Sequence, residues 1–251
     1  MTPLPQAFLA RPIAHRGYHD KTVGRIETSP TAFAAAMEAG YGIELDLQLS
    51  RDGGAMVFHD DLLDRLTAET GPVRDRDAKA LQSIVLKGGA DTIPTLAQVL
   101  VQVGGAVPLL IELKDQHGEM GDTDGALEQA TADALSSYGG PVALMSFNPN
   151  MVRRIGALCP DIPRGLISSA WRKIDEPQVP VDTRARLAGI PDFETVGASF
   201  LSHDVTNLSA PRVEQLKAQG ATILCWTVRS AAQEHEARNV ADNITFEGYA
   251  A

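Results

Sequence analysis

The run Gly42-Ile43-Glu44-Leu45-Asp46-Leu47 sets two carboxylates one residue apart inside an apolar stretch. Alternate side chains of an extended segment share a face, so Glu44 and Asp46 point one way and Ile43, Leu45 and Leu47 the other. A strand covered on both faces would then hold two like charges about 7 Å apart. A hard divalent cation removes that conflict by taking both acids as ligands; a solvated edge strand removes it equally well. The run Leu109-Leu110-Ile111-Glu112-Leu113-Lys114 repeats the pattern, with Glu112 and Lys114 on one face. If the two strands adjoin, Glu112 supplies a third oxygen ligand and Lys114, one layer higher, suits a phosphate oxygen; a buried Glu–Lys pair is the plainer alternative. Carboxylate donors of this kind suit magnesium or calcium rather than a sulfur-preferring metal.

His15-Arg16-Gly17 follows one short apolar segment and His59-Asp60 follows another. Imidazole titrates near neutrality, so around an acidic cluster one histidine can take a proton from an attacking hydroxyl while the other protonates a leaving oxygen. Arg16 can fork onto a phosphate or pair with Glu27, and Gly17 lets the chain turn away. Glu27 is expected to face the same polar site. Phe147 and Trp226 end apolar strands and are candidate pocket walls. His203 is a weaker candidate at the end of another strand, and Asn148 is adequately explained as a helix cap. The chain has no GxGxxG, GxxxxGK[ST] or HExxH sequence, which argues against nucleotide-cofactor and zinc-protease chemistry.

Positioning these groups falls to short apolar runs at 12–15, 42–49, 56–58, 109–113, 142–147, 165–167, 198–201, 222–228 and 244–246. Between them lie helical signals. Ser29-Pro30 and Asn148-Pro149 are caps followed by proline, Thr95 opens LAQVLVQV, 123–137 reads as a helix, and later helices start at Pro211 and Ser230. Strands alternating with helices along the whole chain predict an α/β fold, a TIM-type (β/α)8 barrel. Nine runs are one too many for eight staves. Asp52-Gly53 marks a tight turn, so 55–58 is read as an arm returning antiparallel to the preceding strand, carrying His59 to the acids. A parallel stave is the other option. Residues 60–94, irregular and charged, are expected to form a small insertion after this hairpin within one barrel domain spanning 1–251. The proline-containing segment 160–191 is read as a long connection whose Ala170-Trp171-Arg172 and Ile174 can cover a site.

Of 251 residues 44% are hydrophobic and 22% charged, and 22 Lys plus Arg against 32 Asp plus Glu leave a formal charge of -10. That balance disfavours nucleic acid as a partner but not a small phosphorylated substrate. Cys159 and Cys225 lack any CxxC spacing and are expected to be buried and reduced. No apolar run is long enough for a transmembrane segment, and the first residues lack the pattern of a signal peptide, which gives a cytoplasmic expectation. Monomer and homodimer are both open.

In order along the chain, His15-Arg16-Gly17, Glu27-Thr28-Ser29, Glu44-Leu45-Asp46, Asp52-Gly53, His59-Asp60, Ile93-Pro94-Thr95-Leu96, Ile111-Glu112-Leu113-Lys114, Ser146-Phe147 and Trp226-Thr227-Val228 resemble the elements of the glycerophosphodiester phosphodiesterase family. The resemblance implies a TIM-type barrel that hydrolyses a small glycerophosphodiester to sn-glycerol 3-phosphate and an alcohol. It implies a divalent cation, Mg2+ or Ca2+, on Glu44, Asp46 and Glu112. His15 and His59 would be general acid and base, Arg16 and Lys114 would face the phosphate, and Glu27 would support the site. Ile26 and Thr28 depart from the family pattern around Glu27, and Arg229 stands where asparagine is frequent. A lysophospholipase D-type phosphodiesterase is the alternative enzyme reading, favoured by an apolar groove on the insertion, where Ile84-Val85-Leu86 is the compact apolar patch. A noncatalytic phosphate- or metal-binding barrel is the alternative outside enzymes.

Overall fold

The structure is a computed structural model that describes residues 2–174 and 177–251. In chain order its strands are β1 (Ile13–Ala14), β2 (Gly42–Leu49), β3 (Ala55–Val57), β4 (Leu109–Leu113), β5 (Val142–Ser146), β6 (Arg164–Ser168), β7 (Phe200–Asp204), β8 (Thr222–Val228) and β9 (Asn243–Phe246). All but β3 pair in parallel, and β1 closes the ring by pairing with β9 and with β2, Ile13 lying opposite Thr245 and Gly42. The result is a closed eight-stranded parallel barrel with helices between the strands. β3 returns antiparallel to the top of β2, with Leu47 opposite Val57 and Leu49 opposite Ala55. The surplus ninth run is therefore the hairpin arm.

The helices are α1 (Ala7–Ala10), α2 (Pro30–Ala39), α3 (Ala78–Leu81), α4 (Leu96–Val103), α5 (Ala126–Leu135), α6 (Pro149–Leu158), α7 (Val181–Ala188), α8 (Pro211–Ala218) and α9 (Ala231–Ala237). Local chemistry starts several of them. Ser29 Oγ accepts from the Ala32 N–H ahead of Pro30, Thr95 and Gln98 form a reciprocal capping box, and Asn148 accepts from the Asn150 N–H. α5 starts later than the sequence suggests because Gly125, at φ 84°, turns the chain immediately before it. α7 lies in the segment expected to be a long connection. Its cap position, Pro180, offers no side-chain acceptor and it buries only Leu187, so it carries little of the signal that marks its neighbours. β7 runs past the expected 198–201 to Asp204, its end disguised by Ser202-His203-Asp204.

Alternation on the staves makes two apolar regions. Outward side chains such as Ile43, Leu45, Leu47, Ile111 and Ile223 pack under the helices with Phe33, Val99, Val152 and Val213. Inward ones, Ile13, Leu110, Ala143, Ile167, Phe200 and Leu224, fill the lower barrel together with Phe8 of α1. Asn243 Nδ2 ties α1 down by donating to the carbonyls of Phe8 (2.7 Å) and Arg11 (2.8 Å). The N-terminal end of the barrel is thus plugged, and the C-terminal end is left for chemistry, as in other barrels of this class.

Residues 60–94 carry a 3-10 turn, Val73–Asp75, and α3, and pack on their own cluster of Leu63, Leu66, Val73, Leu81, Leu86 and Ile93 with Met56, Phe58 and Ile26. Ile84 and Leu86 belong to that cluster, which leaves Val85 as the exposed member of the apolar patch. The patch is internal packing rather than a groove. Both cysteines are free, Cys225 buried and Cys159 only half-buried. No helix among the described residues is long and apolar enough to cross a membrane.

Candidate active site

Register brings the acids together. β2 and β4 adjoin with Asp46 opposite Glu112, and one carboxylate oxygen from each of Glu44, Asp46 and Glu112 lies within 4.8 Å of the others. All three are almost completely buried. Lys114 Nζ reaches both neighbours, 2.9 Å from Asp46 Oδ1 and 2.8 Å from Glu112 Oε1. The lysine expected one layer above the acids instead bridges two of them.

Burial, then the charges of Asp46 and Glu112, pushes the Glu44 carboxyl well above its ordinary range. Burial acts in the same sense on Asp46, but Lys114, His59 and Arg16 outweigh it and hold that group low. Asp46 Oδ2 has no hydrogen-bond partner among the described residues, and Arg16 Nε faces it at 3.7 Å, also unpartnered. A buried oxygen lacking a donor, among three converging hard oxygen ligands that repel one another, fits a divalent cation such as Mg2+ or Ca2+.

Each histidine is anchored through Nδ1. His15 follows β1 directly, with Nδ1 2.6 Å from Glu247 Oε2 and Nε2 3.9 Å from Glu44 Oε2. Burial pulls the His15 pKa down to about 4, opposed chiefly by its bond to Glu247, so its imidazole is neutral at pH 7. His59 is carried in by β3, where the Phe58 N–H donates to the Asp46 carbonyl at 3.0 Å; His59 Nδ1 lies 2.6 Å from Asp60 Oδ1.

The first loop holds a second charge chain. Arg16 sits at φ 55° and its N–H donates to Glu44 Oε2 at 3.0 Å. Gly17 continues the turn at φ 79°, where a Cβ would lie 2.9 Å from Phe33 Cδ1, so both the backbone and the space call for glycine. Arg16 Nη1 donates to Glu27 Oε1 at 2.6 Å, and Thr28, at φ 58°, closes the loop through its N–H to the Arg16 carbonyl. The departures at Ile26 and Thr28 leave this pairing intact. Arg65, from the inserted segment, then forks onto both oxygens of Glu27 (2.9 and 2.7 Å) and both of Asp60 (2.6 and 2.9 Å). Burial raises the Glu27 pKa, but Arg65 and Arg16 reverse the effect and bring it to about 2.

These groups open on one cavity of about 660 Å³ whose walls include His15, Arg16, Glu44, Asp46, His59, Glu112, Lys114, Phe147 and Trp226. Phe147 stands edge-on between Trp171 (5.6 Å between centroids) and Trp226 (5.5 Å). Trp171 is buried behind the wall, and Glu27 lies behind Arg16. His203 corrects the sequence reading. On β7 the inward residue is Ser202, which lines the cavity, so His203 turns outward and its Nε2 meets Asn207 Nδ2 at 3.3 Å. Glu247 and Arg65 went unforeseen. Glu247 had one visible sign, an acid directly after the final strand, where His15 stands after the first; Arg65 lay in an irregular charged stretch with no pattern to mark it.

Residues 15–242 match the model of the Glycerophosphoryl diester phosphodiesterase family. The chain belongs to that family. It is therefore an enzyme of the phosphoric diester hydrolase class. A glycerophosphodiester phosphodiesterase of Bacillus subtilis is 28% identical over 254 residues, 89% of this chain and 78% of that protein. One from Caldanaerobacter subterraneus subsp. tengcongensis is 33% identical over 164 residues, 62% of this chain and 65% of its own. The fold matches an Oleispira antarctica phosphodiesterase solved with the product sn-glycerol-3-phosphate, at TM-score 0.78 and 24% identity, covering 96% of this chain and 94% of that one.

Proposed function

We propose that the chain hydrolyses glycerophosphodiesters to sn-glycerol 3-phosphate and an alcohol, with Mg2+ or Ca2+ held by Glu44, Asp46 and Glu112 and with His15 and His59 moving the protons. The observation that carries this reading is the meeting of both imidazoles with three buried acids on one cavity. A single barrel domain over 1–251, with 60–94 as its insertion, belongs to the same reading, supported by staves running from Ile13 to Phe246.

When bound, the cation supplies charge neutralisation of the phosphodiester. Arg16 and Lys114 have guanidinium and ammonium donors at the cavity wall and share the remaining phosphate charge. One histidine accepts at Nε2 the proton of the glycerol 2-hydroxyl. The freed oxygen attacks the neighbouring phosphorus intramolecularly, the phosphorus–alkoxy bond breaks, and the other histidine protonates the departing alcohol oxygen. Water then opens the cyclic phosphate with the two roles exchanged, restoring both imidazoles. Direct attack by water would need no 2-hydroxyl.

The test is alcohol release from a panel of glycerophosphodiesters that includes a 2-deoxy analogue, run beside His15→Ala and His59→Ala. In folded protein each substitution is expected to lower kcat by about 10²- to 10⁴-fold. Near-parental rates in both variants would overturn the assignment, and undiminished turnover of the 2-deoxy substrate would replace the cyclic route with attack by water.

A further inference from the structure

Glu247, the residue after β9, belongs to no motif used above. Its side chain is 20% exposed, and its two oxygens have separate tasks. Oε2 lies 2.6 Å from His15 Nδ1. Oε1 accepts from Arg229 Nε at 2.8 Å and has Arg229 Nη2 at the same distance, a fork onto one atom. Arg229 is itself fixed to its own strand end, Nη1 donating to the Thr227 carbonyl at 3.3 Å. His19 Nε2 stands 3.6 Å from Oε2, beyond hydrogen-bond length.

An ionised carboxylate only accepts, so the His15 nitrogen facing it must carry the proton. The lone pair is then on Nε2, the nitrogen turned toward Glu44. His59 is held by the same construction from different elements: Asp60 takes its Nδ1 at 2.6 Å and Arg65 forks onto Asp60. Two histidines on one cavity, each backed by a carboxylate that an arginine restrains, describe a device rather than a chance surface pair.

We propose that Glu247, clamped by Arg229, is a positioning residue that fixes His15 in its Nδ1–H tautomer and presents Nε2 to the substrate. The inference rests on His15 being a proton-transfer group. It predicts an effect on turnover rather than on binding, because Glu247 meets Nδ1, while Nε2 is the ring nitrogen turned toward the acids of the cavity.

The experiment compares Glu247→Ala, Glu247→Gln and His15→Ala for kcat, KM and thermal midpoint, with 15N NMR of the His15 ring as the direct readout of tautomer. Glu247→Ala should lower kcat about 10- to 100-fold, leave KM within about threefold, and let the Nε2–H form appear. Glu247→Gln must leave its amide oxygen on Arg229, which only donates, so its NH2 faces Nδ1; it should also favour the Nε2–H form and recover no turnover. Parental kcat in Glu247→Ala would overturn the inference. So would a loss confined to KM, or a loss of turnover with the His15 ring still wholly Nδ1–H. Should Glu247→Ala fail to fold, a Glu247→Gln ring spectrum still wholly Nδ1–H would overturn it as well. An active His15→Ala would sink the role given to His15 and this inference with it; an inactive His15→Ala beside a fully active Glu247→Ala would sink this inference alone.

Discussion

Arg65 ties together two residues that the chemistry needs in fixed places. It grips Glu27, which holds Arg16, and Asp60, which holds His59. Its guanidinium does this because five donors in a planar fork can serve two carboxylates at once, whereas an ammonium is a point charge. Arg65→Lys should therefore lose about 10- to 100-fold in kcat despite keeping its charge; steady-state kinetics checks this, and a parental rate would show that the chain from Glu27 to Asp60 is idle. At this scale the sequence made legible those residues whose meaning is local. Glu44 and Asp46 share a face by spacing, and Lys114 is two residues from Glu112. Arg65 meets Glu27 across 38 positions and Glu247 meets His15 across 232, and no periodicity joins such pairs.

Elements decide which way a residue looks, and His203 shows the consequence. One step along β7 separates it from Ser202, which is enough to move it from the cavity to the layer under the helices. There burial lowers its pKa to about 4, partly opposed by Asp204. The unfolded chain, with histidine near 6.5, binds a proton in this window that the folded chain refuses, so the contribution is complete above pH 6.5 and lost as pH falls toward 4. The full loss is on the order of 3 kcal/mol. His203→Leu should flatten the decline of urea-unfolding stability between pH 6.5 and 4, and an unchanged slope would refute this assignment of the proton. The same scale explains which elements were readable. α2, α4 and α6 announce themselves by caps, and the hairpin by Asp52-Gly53, because those signals act within a few residues. α7 has no such cap, and the outward turn of His203 depends on where β7 begins.

Closure of the barrel turns these separate pieces into a site. With Phe8 filling one end and β1 joined to both neighbours, the acids of β2 and β4 are withdrawn from water on a rigid frame while the strand ends supply the imidazoles. Three carboxylates this buried and this close are costly to keep ionised together, as the upward displacement of Glu44 and Glu112 shows. In the proposed function a divalent cation relieves that repulsion and is required for turnover. The most direct measurement is glycerophosphodiester hydrolysis by the folded chain after exhaustive chelation, and again after Mg2+ or Ca2+ is returned. Activity should vanish and then recover, with Glu112→Gln needing more cation for half recovery; full turnover in excess chelator would contradict the account.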